Sequence, residues 1–162
     1  MMNSSIVVPV VSAIFLLGAG ALLTPIGPWY AQLRKPRWNP PNWLFGPAWT
    51  VILGLWAWAA GLSWQGAADA SGHRTVLVLF SVNALLHLLW SPLFFKFRRP
   101  ELALYEMVVL LGSLVALLIC LPAYSVTASW LLVPYTAWVS FALCLNWTIV
   151  RLNRRGTSSR PA

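Results

Sequence analysis

Charge is what this chain has least of. Only 9% of its 162 residues are charged, and three are acidic: Asp69, Glu101 and Glu106. Soluble domains carry roughly 25% charged residues, so an ordinary water-facing surface is excluded. Histidine and cysteine are equally sparse, with two of each. His73, in a predicted loop, and His87, in a predicted span, do not make a metal site, and no nucleophile–base pair is visible. Cys120 and Cys144 fall in successive apolar runs. Helical rise puts them roughly 24 Å apart in depth, beyond the ~7 Å a disulfide allows. Two free, buried thiols are expected. The N-terminal "MMNSS" has no basic segment and no small-residue cleavage site, so the first apolar run does not read as a signal peptide.

What the chain does have is apolar length. Hydrophobic residues make up 59% and tryptophans number 11. A membrane-spanning helix needs about 20 apolar residues. Five such runs are predicted, at residues 6–23, 44–64, 75–95, 102–121 and 128–152. They give an all-α membrane bundle in one domain, 1–152, with a basic tail at 153–162. The Lys and Arg residues set its direction. Arg34, Lys35 and Arg37 fall in the first connector, Lys96, Arg98 and Arg99 in the third, and Arg151, Arg154, Arg155 and Arg160 at the C-terminal end. Arg74 alone falls on the other side. Basic residues mark the cytoplasmic face, so the N-terminus is expected outside and the C-terminus inside. The net charge of +8 does not indicate nucleic acid, because the cations flank apolar spans.

The stretch "WYAQLRKPRWNPPNWLFGPAWT", Trp29 to Thr50, is unusual for a connector. Residues 24–43 are long for a helix–helix join, and Pro36, Pro40, Pro41 and Pro47 stiffen the region. Two readings stand. Trp43 and its neighbours anchor the interface, with Arg34, Lys35 and Arg37 as ordinary positive-inside charge. Alternatively the loop is a lid that closes a cavity in the bundle, with those three cations at its mouth to receive an anionic group.

Helical spacing favours a cavity. Trp49 and Trp56 share a face, as do Asn83, His87 and Trp90, and Trp138, Ala142 and Asn146. In lipid, polar groups turn inward, and Ala142 leaves room between its larger neighbours. An apolar aromatic hollow with few polar anchors is the common form of a small-molecule site. The competing reading is that Asn83, His87 and Asn146 simply bond between helices. Trp29, Trp38, Trp43, Trp64 and Trp130 suit aromatic belts. Glu106 is expected to benefit from the helix dipole and to pair with Arg99 or Arg151.

The opening stretch, together with "LLWSPLFF" (Leu88–Phe95) and "VPYTAWVSFALCLN" (Val133–Asn146), resembles the translocator protein family (TspO/MBR, the tryptophan-rich sensory proteins). The resemblance covers almost the whole chain. It implies a multi-pass protein of a bacterial cell membrane, in contact with lipid, that binds porphyrins, haem or similar flat apolar molecules. A homodimer is implied by the resemblance alone, since Ala57 with Gly61 is only a weak small-residue pair. The implied ligand-binding residues are Trp29, Trp38, Trp49, Asn83, His87, Trp90, Trp138, Ala142 and Asn146.

The chain also departs from the family. Asn83 and His87 stand where Gln and Asn are usual, Leu53 where Tyr is expected, and Glu106 where Asp is. Trp147 replaces the tyrosine of the sterol motif. His87 is a candidate axial ligand to haem iron. The expected function is a tetrapyrrole receptor or sensor that needs no cofactor. The alternatives are a transporter, which would need internal repeats and broken helices not evident here, and a light-dependent porphyrin-degrading protein using Trp29 and Trp138 as electron donors.

Overall fold

The computed structural model describes residues 4–157, and the side chains of residues 5–154. Its long helices are α1 (Ser4–Leu22), α3 (Asn42–Gly66), α4 (Ala70–Ser91), α5 (Pro100–Cys120) and α7 (Val133–Thr157). Two short helices join them: α2 (Pro28–Gln32) in the first connector and α6 (Val126–Leu131) before α7. Five segments are long and apolar enough to span a membrane, the fifth running through α6 and α7. The helices close into a ring: α1 packs on α3, α3 on α6 and α7, α7 on α5, α5 on α4, and α4 back on α1 and α3.

Local chemistry sets where helices start and stop. Asp69 caps α4, accepting from the Gly72 N–H at 2.7 Å. The second connector is therefore only residues 67–69, not the expected 65–74, and His73 lies in the first turn of α4 rather than in a loop. There its ring meets Trp64 at 4.4 Å. Asp69 supplies the N-cap oxygen that a polar helix start needs. Ser125 caps α6 in the same way. Pro134 then lacks the N–H that would continue the ladder, and the expected unbroken fifth span divides at Leu132. The first connector is shorter than expected, because α3 begins at Asn42 and α2 forms within it.

Close approach requires glycine at one join. A Cβ on Gly66 would strike the Tyr124 carbonyl, so the end of α3 lies directly on the turn before α6. A Cβ on Gly61 would sit 3.1 Å from the Ser5 carbonyl. Gly61 and Ala57 are thus buried in this chain's own α1–α3 contact. Midway up the bundle, the Asn83 amide accepts from Trp56 Nε1 at 3.0 Å and donates to Ser113 Oγ at 2.9 Å. One side chain thereby ties α3, α4 and α5 together.

The first and third connectors and the end of α7 share one end of the bundle. Asn153 grips the Arg34 backbone there, accepting from its N–H at 3.1 Å and donating to its carbonyl at 3.0 Å. Arg154 pairs with Glu101 at 2.7 Å. The expected tail from residue 153 is therefore helix as far as Thr157; the rest of it, Arg160 included, and the Arg155 side chain lie outside the described residues. Glu106 does not make the expected pair with Arg99 or Arg151. It is buried, and neither carboxyl oxygen meets a hydrogen-bond partner among the described residues. One turn separates it from Glu101, and that turn carries it off the basic rim into the α5–α7 contact. Both cysteines are free, but neither is buried as expected: Cys120 is half-buried and Cys144 is exposed on the bundle surface.

Two predictions follow from the basic end. If it faces the cytoplasm, as the distribution of Lys and Arg predicts, a C-terminal reporter will be active only as a cytoplasmic fusion; activity confined to the far side would reverse the topology. Below α4, residues Pro92–Lys96 form a π turn, and Arg98 follows at φ 53°. The left-handed region is costly for residues other than glycine. Arg98→Gly is expected to raise stability by about 0.5–1 kcal/mol, measured by denaturation in detergent. A clear loss would show that the Arg98 side chain contributes more than its backbone costs.

Candidate functional site

The half of the bundle nearest the basic end is hollow. A cavity of about 480 Å³ lies between α1, α3, α4 and α7, with α2 and the π turn across its base. Hydrophobic spacing explains its wall. Phe45 and Trp49 lie one turn apart on α3, and Trp90 near the end of α4 lies one turn before Phe94 in the π turn. α1 offers Leu16, Leu17, Gly20 and Ala21, while Leu145 and Ile149 complete the α7 side.

Of the residues expected to bind ligand, Trp49, His87, Trp90, Ala142 and Asn146 line this space. Ala142 leaves a gap on α7, as its small side chain suggests. The other expected residues stand elsewhere. Asn83 is consumed by its bonds to Trp56 and Ser113. Trp29 packs edge-on against Phe94 at 5.8 Å, behind the wall rather than in it. Trp138 stands behind Phe45 and Trp49, at 6.0 and 6.3 Å. Trp38, half exposed, abuts Phe141 at 5.7 Å. Bulky rings on neighbouring turns cannot all reach one hollow, so some line it and the rest hold the liners in place.

Sequence reasoning missed Tyr30, Phe45, Phe94 and Phe95, which line the cavity. Two were within reach of it. Phe45 is four residues before Trp49 and Phe94 four after Trp90, the spacing of one helix face. The α1 contribution carried no signal, because that helix is apolar throughout.

The polar groups are few and directed. His87 Nδ1 lies 3.3 Å from the Tyr135 hydroxyl, and its ring meets Trp49 edge-on at 4.6 Å. Thr24 donates to the Gly20 carbonyl at 2.7 Å and reaches Ser91 Oγ at 3.1 Å, joining α1 to α4 at the cavity edge. With its amide turned to satisfy both groups, Asn146 donates to the Pro100 carbonyl at 3.3 Å and accepts from the Leu104 N–H at 3.2 Å. It therefore bonds between helices and lines the cavity at once. Among the described residues the indole N–H of Trp90 is buried without a hydrogen-bond partner, which costs free energy in an apolar setting.

None of the three expected lid cations lines the cavity. Lys35 sits over the Tyr30 ring, its Nζ 3.9 Å from the centroid. Tyr30 forms part of the cavity base, and burial pushes its phenol above the ordinary value. Arg34 and Arg37 are exposed on the rim. Among the described residues no cluster of His, Cys, Asp and Glu could hold a metal ion.

Comparison with known proteins agrees with this architecture. The chain is 39% identical to the tryptophan-rich protein TspO of Chlorobaculum tepidum over 141 residues, 83% of this chain and 87% of the relative. It is 34% identical to the TspO of Archaeoglobus fulgidus over 155 residues, 94% of this chain and 99% of that one. The human translocator protein is 32% identical over 126 residues, 77% and 75% of the two chains. The TspO/MBR family model matches residues 5–152, and this multi-pass membrane protein belongs to that family.

Proposed function

We propose that this protein is a membrane receptor for a tetrapyrrole, held in the central cavity. The observation that carries the reading is the wall itself: Trp49, Trp90, Phe45 and Phe94 around about 480 Å³, with an indole N–H at Trp90 that lacks a partner among the described residues. Aromatic faces favour a flat apolar ring, and the free donor favours a ligand with an acceptor. Titration of purified protein with protoporphyrin, followed by tryptophan fluorescence, tests it; no saturable quenching would refute the reading.

The rim cations favour ligands with carboxylates. Lys35, behind Tyr30, and the exposed Arg34 and Arg37 act through partly screened distance, so their joint effect is modest. Replacing all three with Gln is expected to weaken protoporphyrin about threefold and to leave its dimethyl ester unchanged. Equal weakening of both ligands would remove charge from the account.

A specific contact favours haem over the metal-free ring. Ligating histidines characteristically hold their second nitrogen in a hydrogen bond, and Tyr135 stands at that position for His87. With Nδ1 engaged, Nε2 is the nitrogen for iron. His87→Asn is expected to weaken ferric haem at least about tenfold and shift its Soret band, while protoporphyrin affinity hardly changes. Parallel loss of both ligands with an unshifted spectrum would make His87 a packing residue.

A further inference from the structure

The cavity does not end at its own wall. A second hollow of about 620 Å³ runs along the outer face of the α1–α3 pair. Leu17 and Thr50 line both spaces, so the two meet there. The antiparallel packing of the pair sets the order along the seam. Gln65 donates to Ser5 Oγ at 3.1 Å at the far end, the second hollow follows, and the cavity opens where Gly20 and Gly46 line it. A Cβ on Gly20, Gly46 or Gly54 would touch nothing within 4 Å. Gly46, Thr50 and Gly54 are exposed on the bundle surface. At this join the seam is open for want of side chains.

The two spaces differ in chemistry. The cavity has aromatic faces, an imidazole and a free indole donor. The second hollow is walled by Val10, Ile14 and Trp58, each largely exposed, and its polar side chains are Thr50 and Gln65 at its two ends. The first suits a ring with hydrogen-bonding edges, and the second suits a chain of methylenes.

We propose that this protein takes a flat ring bearing a long apolar tail, with the ring in the central cavity and the tail laid along the α1–α3 hollow. The ring half rests on the tetrapyrrole reading above; the tail half rests on the two hollows adjoining at Leu17 and Thr50. A chain leaving the bilayer gains nothing from the hydrophobic effect. A tail attached to a seated ring, however, reaches the hollow at high effective concentration and gains close packing there. Free lipid chains have no such attachment.

The test uses two metal-free esters with one ring, pheophorbide a methyl ester and its phytyl counterpart pheophytin a, titrated against the full chain in nanodiscs. The phytyl ester is expected to bind about fivefold tighter. Filling the hollow with Gly54→Phe is expected to close that gap and leave the methyl ester unchanged. Gly54→Leu, a milder filling, repeats the measurement should the larger ring disturb the fold. Equal affinities in the wild type would assign the hollow to bilayer lipid or a second copy of the chain, and would overturn the proposal. A gap that survives both substitutions would also overturn it, since membrane partitioning alone would then explain it. Failure of the phytyl ester alone to bind would overturn this proposal only, whereas failure of both esters would refute the tetrapyrrole reading and this proposal with it.

Discussion

A polar side chain inside hydrocarbon has no water to turn to, and this bundle is organised around that constraint. Asn83 answers it by bonding Trp56 and Ser113 at once. Ser63, Thr136 and Ser140 answer it by bonding carbonyls one turn back on their own helices. Bonds across helices, such as those of Asn83, average only about 0.6 kcal/mol each in membranes, so their value lies in direction as much as in strength. They fix which face of each helix points inward. The rings that build the cavity are placed by that choice.

Two donors that escape the rule stand at the cavity. Among the described residues, the indole N–H groups of Trp90 and Trp138 are buried without partners, as are the Glu106 carboxyl and the Asn39 side-chain carbonyl oxygen elsewhere. Trp90 is in the cavity wall and Trp138 directly behind it. Keeping them beside a hollow, while the closed half of the bundle satisfies its Trp56 donor, separates the part of the molecule built for stability from the part built around a ligand.

Much of this was legible in the sequence because the bilayer imposes length and charge rules that a window of residues can express. Five apolar runs gave five spans, and the periodicity of Trp49, His87, Trp90, Ala142 and Asn146 placed them on faces that meet. The errors came where a single atom overrides composition. The carboxylate of Asp69 starts a helix in a stretch that hydropathy reads as loop. Pro134 divides an apolar run that hydropathy reads as continuous. Glu101, rather than Glu106, takes the ion pair, because one turn of helix decides which carboxyl reaches Arg154. The tryptophans could be counted but not ranked. Spacing tells which rings share a helix face, whereas only the packing of Trp138 behind Phe45 tells which stands in front.

The two bonds between Asn153 and the Arg34 backbone make the first connector and the last turns of α7 a single mechanical piece. The same helix carries Ala142, Asn146 and Ile149 into the cavity wall. A displacement of the connector therefore pulls on the wall it covers, and a rotation of α7 drags the cover with it. Cover and wall share one hinge. The base of the cavity does not open as an independent flap while that latch holds.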